Sequence, residues 1–304
     1  MEPFEPKRIT ALAGPKLYSV RSLGRNHHRR NGNGAAVADL ERQLDALRQE
    51  SEQLDRAVFD AAQVQRRLMA PRQRRREQFE IAGEIFPWRR ISGDFLASFD
   101  IGGHTVLAIG DIAGKDLAAG MWFTHLVGLC RILSGSLSSP AAVAAAINRH
   151  LAALEREPPV TTLFLGWLEP RSGELTYCNA GHPAPLLQRR DGWVEWLNAG
   201  GPILGAIPSA AFVNGVAVFN PGDSLLGYSD GILECCNTFD EPFGLHRLLA
   251  AARSAVGRPA SALLFSVLGA AQDFAAGRER TDDLAVLVVR RLPEVSAAPS
   301  MNSL

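Results

Sequence analysis

The chain is poor in cysteine, with four in 304 residues, at positions 130, 178, 235 and 236. No CxxC pair occurs, and Cys235 and Cys236 are adjacent. Neither a zinc clip nor a disulfide framework is therefore expected, and a reducing compartment is the simplest setting. Net charge is lacking too. Lys+Arg and Asp+Glu both number 32, which leaves no electrostatic footprint for nucleic acid. The basic cluster from Arg25 to Arg30 sits among Gly and Asn and reads as a solvated tail. No apolar run approaches the ~20 residues that span a bilayer, and no apolar leader follows Met1. These absences predict a cytoplasmic protein with no membrane partner and no nucleic-acid partner.

What is present is ordinary globular material, 46% hydrophobic, in an uneven arrangement. Residues 1–34, rich in Pro, Gly, Arg and Asn, predict a disordered lead-in. Over 35–71 the pattern turns helical. Leu40, Leu44, Leu47, Leu54, Val58, Ala61 and Leu68 follow three- and four-residue steps, with Ser51 and Gln65 as polar positions on the same seam. This spacing predicts an amphipathic, coiled-coil-like helix stopped by Pro71. It packs either on its own domain or, as the polar seam favours, against a second copy in a homodimer. A basic hinge, 72–76, should follow.

Beyond the hinge the chain becomes β-rich. Phe79–Phe86, Phe95–Ile101 and His104–Ile112 predict strands, the last two joined by a Gly102-Gly103 hairpin turn. Helices are expected over Lys115–Leu133 and Pro140–Glu155. Strands return at Thr161–Leu168, Glu174–Asn179, Pro185–Gln188, Trp193–Leu197, Phe212–Phe219 and Ser224–Tyr228. Two more helices, Gly244–Ala252 and Pro259–Ala276, precede a last strand at Leu284–Val289. Antiparallel runs interrupted by helix pairs predict an α+β domain over 72–291, with two stacked sheets and helices outside, and a disordered tail over 292–304.

Four acids stand at abrupt turns beside short apolar runs: Asp94, Asp111, Asp230 and Asp282. Ionised Asp is rarely buried unless it is paired or metal-bound. Oxygen donors without clustered His or Cys suit Mg²⁺ or Mn²⁺. Gly93, Gly110, Gly114 and Gly231 beside them allow close backbone approach. Ordinary surface turns are the bland reading of any single one.

The ordered set resembles the metal-dependent PPM serine/threonine phosphatases, in the SpoIIE/RsbU-like bacterial branch. The likeness runs from Gln63 to Arg291. It passes through Ser92-Gly93-Asp94-Phe95, Gly110-Asp111-Ile112-Ala113-Gly114-Lys115, Asn179-Ala180-Gly181-His182-Pro183, Tyr228-Ser229-Asp230-Gly231 and Thr281-Asp282-Asp283-Leu284. The resemblance implies an α-β-β-α four-layer sandwich and two Mn²⁺ or Mg²⁺ ions. In it Asp111 bridges the ions, the Ile112 carbonyl serves one, Asp230 and Asp282 serve the other, and Asp94 acts through water. A metal-activated water needs no Ser or Cys nucleophile. The substrate it implies is a phosphorylated protein, typically an anti-anti-sigma (STAS) protein in a partner-switching circuit.

His182, in the Gly-His-Pro turn, is expected to fix that turn. Arg89 and Arg90 are candidates for a fork of donors to substrate phosphate, or for a solvated strand edge. Two positions depart from the family pattern: Asp116 stands where Gly is usual, and Ala97 where a second acid is common. A phosphoprotein-binding pseudophosphatase and a small-molecule phosphohydrolase therefore remain alternatives.

Overall fold

The computed structural model describes residues 32–69, 73–114, 116–154 and 159–293, the side chains of 32–35 and 116 excepted. The lead-in, Pro71, Lys115, the Asp116 side chain and the tail from 294 lie outside the described residues. The chain forms two compact units, Met1–Gln53 and Leu54–Leu304.

In chain order the elements begin with α1 (Gly32–Leu68), β1 (Gln73–Arg76), β2 (Phe79–Phe86), β3 (Phe95–Ile101) and β4 (His104–Ile112). Then come α2 (Asp116–Ser134), α3 (Pro140–Ala152), β5 (Thr161–Leu168), β6 (Glu174–Ala180), β7 (Leu186–Gln188) and β8 (Val194–Trp196). The last are β9 (Gly200–Gly201), β10 (Gly215–Val218), β11 (Ser224–Tyr228), α4 (Asp230–Glu234), α5 (Gly244–Ser254), α6 (Ala260–Ala275) and β12 (Leu284–Arg291).

The strands form two sheets, ordered β1-β2-β12-β11-β7-β8 and β10-β6-β5-β4-β3, antiparallel throughout except that β9 joins β6 in parallel. Central strands are apolar without alternation because both of their faces are covered. On β12, Ala285, Leu287 and Val289 point into the layer between the sheets. Val286 and Val288 point the other way, onto Leu263, Leu264 and Val267 of α6. On β4, Leu107 and Ile109 face the inter-sheet layer. Val106 and Ala108 face Phe123, Leu126, Val143 and Ile147 of α2 and α3. Three apolar layers thus separate four structural layers, the expected α-β-β-α sandwich. Each fully buried Leu, Ile or Val contributes roughly 1.5–3 kcal/mol of transfer free energy. Helix α3 starts where Ser139 accepts the Ala142 N–H at 3.2 Å and Pro140 takes the first turn.

Several sequence expectations are corrected. The basic hinge is β1, whose Gln73–Arg76 pairs with Phe79–Ala82; edge pairing satisfies its backbone although no apolar pattern marks it. Asp230, expected at an abrupt turn, opens the short helix α4, and Cys235 and Cys236 follow that helix. Leu117–Ser134 of α2 is long and apolar enough to span a membrane by length and composition. It nevertheless buries Phe123, Leu126, Val127 and Cys130 in the sandwich. Gln65 is no open seam position. It is 4% exposed, and its amide pairs with both main-chain groups of Ser92, Nε2 donating to the carbonyl at 2.7 Å and Oε1 accepting the N–H at 3.0 Å. Of the apolar seam, Leu40, Leu44, Leu47 and Leu54 are exposed, as are Val37, Phe59 and Val64 off it.

Candidate metal-dependent active site

Topology brings the acids together. Asp94 precedes β3 and Asp111 lies near the end of β4, both in the second sheet. Asp230 follows β11 and Asp282 precedes β12, neighbours in the first sheet. The four therefore meet at one end of the sandwich, where the two sheets face each other. Glycine permits the close approach. A Cβ at Gly93 would stand 3.0 Å from the Ile112 carbonyl oxygen and 3.4 Å from the Asp111 carboxylate. A Cβ at Gly231 would stand 2.0 Å from the Asp283 carbonyl oxygen.

Crowded carboxylates repel each other, and burial removes the water that would screen them. Asp94 is 2% exposed, and its carboxyl is held well above the ordinary range, first by burial and then by the charge of Asp111. Asp111 is pushed up to about 6 by burial, followed by Asp230, Asp282 and Asp283. One Asp94 oxygen, Oδ2, is buried with no hydrogen-bond partner. Among the described residues no three His, Cys, Asp or Glu side chains form a closed metal cage. The donor set is instead oxygen-only, partly main-chain and short of protein ligands. That fits Mg²⁺ or Mn²⁺, which keep several waters.

The second tier of contacts was not legible from the motifs. Asp283 accepts from the Trp88 N–H at 2.6 Å, the Ser92 hydroxyl at 2.8 Å and the Gly93 N–H at 2.8 Å, fixing the segment that delivers Asp94. Its only sequence signal is the doubled Asp after Thr281. Ser229 is fully buried; its hydroxyl accepts the Ala285 N–H at 2.9 Å and hydrogen-bonds Asp94. Gly227-Tyr228-Ser229-Asp230-Gly231 has the spelling of a nucleophile elbow, but this hydroxyl is enclosed and committed. Thr162 accepts the Asp111 N–H at 3.0 Å and lies 2.9 Å from His182 Nδ1. The Thr162 hydroxyl and the His182 Nδ1 share a hydrogen bond whose direction follows the ring's tautomer, since a hydroxyl that accepts one N–H can still donate or accept a second bond.

His182 is 5% exposed and its pKa falls to about 3 because burial disfavours the charged ring. The Tyr228 main chain offsets part of that shift, and the ring's Nε2 is buried with no hydrogen-bond partner among the described residues. The turn itself is tied by Asn179, whose amide accepts the His182 N–H at 2.8 Å and donates to the His182 carbonyl at 3.0 Å. Gly114 adopts φ +122°, a conformation open to glycine.

Arg89 stacks over the Trp88 ring at 4.5 Å. Arg90 is committed to α1, reaching the Asp55 carbonyl at 3.0 Å and its carboxylate at 3.3 Å. The cations that do share a cleft with Gly231 and Asp282 are Arg278 and Arg280, beside Cys235 and Cys236. Ala97 is 2% exposed within the apolar layer under α2 and α3, so this position has no room for a second acid.

Comparison with known proteins agrees with this fold. The family model described as Stage II sporulation protein E (SpoIIE) matches residues 101–292. Phosphoserine phosphatase RsbU of Bacillus subtilis is 24% identical over 248 residues, covering 81% of this chain and 73% of that protein. Protein IcfG of Synechocystis is 27% identical over 201 residues, 57% of this chain, and the chain spans only about a third (32%) of that relative. Among solved structures, the SiaA-PP2C domain of Pseudomonas aeruginosa superposes with a TM-score of 0.68 at 17% identity, covering 79% of this chain and 98% of that one.

Proposed function

Because this chain belongs to the SpoIIE family, we propose that its acidic cleft is a metal-dependent phosphatase centre acting on phosphoserine or phosphothreonine of a signalling protein. The observation that carries the reading is the meeting of Asp94 and Asp111 from one sheet with Asp230, Asp282 and Asp283 from the other. Burial first, and then the charges of Asp230, Asp282 and Asp283, push Asp111 up to about 6. Like charges so placed are stable only with protons or cations among them. Asp111 would lie between two ions, with the Ile112 carbonyl on one, Asp230 and Asp282 on the other, and Asp94 acting through water. Two Mg²⁺ or Mn²⁺ ions, when bound, supply an activated water and a clamp for in-line displacement at phosphorus.

The chain's own residues set the geometry. Thr162 and Ser229 orient Asp111 and Asp94, and Asp283 secures the 88–93 segment. Arg278 and Arg280 place positive charge beside the acids, where an anionic phosphopeptide would enter. The substrate class proposed is a phosphorylated STAS protein of a partner-switching circuit, acting in the cytoplasm. Phosphate release from such a protein with Mn²⁺, abolished by a chelator and by Asp111→Asn, is the expected result. Binding of the phosphoprotein without turnover would make the chain a pseudophosphatase instead.

The exposed leucines of α1 support a homodimer through that helix. Light scattering on the full chain should show a dimer, and Leu44→Glu with Leu47→Glu should give a monomer. A monomeric unsubstituted chain would overturn the dimer.

A further inference from the structure

His125 on α2 and His150 on α3 lie outside the acidic centre and have no part in its chemistry. Their Nε2 atoms are 2.9 Å apart, and both side chains are exposed. The rings are 5.0 Å apart between centroids, and Trp122 lies against His125 in an edge arrangement at 5.8 Å and 74°. Partial desolvation of one side of the otherwise exposed ring, followed by the neighbouring His150, holds His125 below its ordinary pKa, so the neutral ring is available as a donor.

From this juxtaposition we propose that His125 and His150 form a second cation site, selective for a late transition ion such as Ni²⁺ or Cu²⁺, which cross-braces α2 and α3. Imidazole nitrogens bind such ions at ~2.0–2.1 Å, so two nitrogens 2.9 Å apart subtend a ~90° angle at the ion. That is the angle between adjacent ligands of a square-planar or octahedral centre, the preference of Cu²⁺ and Ni²⁺. A tetrahedral ion needs a wider separation, ~3.3–3.4 Å by the same bond lengths, which makes Zn²⁺ the poorer fit. Mg²⁺ prefers oxygen and does not compete. Among the described residues no third His, Cys, Asp or Glu joins the pair. Water therefore completes the shell, and the affinity is that of a two-imidazole site.

The test uses the full chain in excess Mg²⁺, which occupies the acidic centre. His27→Ala and His28→Ala are present in every sample, to remove the sequence's other histidine pair. Calorimetric titration with Ni²⁺ should show one ion per chain. His125→Ala and His150→Ala should each weaken binding at least tenfold, both being exposed positions where the fold is kept. With one equivalent of Cu²⁺, electron paramagnetic resonance should show two equatorial nitrogens in the His-bearing chain and fewer in either variant. Ni²⁺ should also raise the melting temperature of the His-bearing chain only. Equal Ni²⁺ affinity in all three proteins, or a Cu²⁺ spectrum unchanged by the substitutions, would overturn the site and leave the contact a simple imidazole–imidazole hydrogen bond.

Discussion

Acid should destabilise this protein in part through one buried imidazole, and the size of the effect can be worked out. His182 has an unfolded-state pKa of 6.5 and a folded value of about 3, lowered by burial. Between these values the unfolded chain binds the proton and the folded chain does not. Stability therefore falls as pH falls, from full value above 6.5 to a plateau near 3. Each pKa unit is worth about 1.4 kcal/mol, so going from pH 7 to pH 5 costs about 2 kcal/mol through this residue alone. Asp111 acts in the opposite sense: raised from 3.8 to about 6, it removes stability from the metal-free chain as pH rises through that window. A difference measurement separates the two. Urea unfolding of the full chain, in chelator, is compared with that of His182→Gln at pH 7 and pH 5. The substitution should cost roughly 1–3 kcal/mol at pH 7, from the lost Thr162 contact and packing. That deficit should shrink by about 2 kcal/mol at pH 5, because Gln carries no proton to gain. A deficit that stays flat between the two pH values would refute the buried neutral imidazole.

Other outcomes follow from the same geometry. Asp111→Asn and Asp230→Asn should each lower phosphatase turnover by at least ~10²-fold, the scale expected when a carboxylate that would hold the metal ions loses its charge; near-full rates in either would sink the site. Gly231→Ala sets a Cβ 2.0 Å from the Asp283 carbonyl oxygen. It should cost about 1–3 kcal/mol in denaturant titration and lower turnover as well, since α4 carries Asp230. Asp283→Ala strands three donors, on Trp88, Ser92 and Gly93. It should destabilise by about 2–5 kcal/mol and speed amide exchange at Gly93, while Asp283→Asn, which keeps an acceptor, recovers part of both. Unaltered exchange in the Ala variant would show that Asp283 does not hold the segment.

The sequence alone determined the strands whose apolar runs are bounded by turn residues such as Gly, Pro and Asp. Phe79–Phe86, Phe95–Ile101, His104–Ile112, Thr161–Leu168 and Ser224–Tyr228 stand with the expected boundaries. It also singled out the four acids beside these apolar runs, because a carboxylate in such a place has few roles, although Asp111 lies inside β4 and Asp230 opens α4. Local pattern cannot report pairing across the fold. Arg-rich β1 became a strand through its partner β2, and Gln65, polar on a helical seam, is buried because Ser92 satisfies its amide. Thr162 carries no distinctive spacing, since β-branched strand residues are common everywhere, and the places of Ser229 and Asp283 inside their motifs do not tell which neighbours they hold. Only the stacking of two sheets set Asp94 and Asp111 against Asp230 and Asp282, for a side chain's charge is written in the sequence, while its burial and its neighbours' fields exist only once distant segments meet.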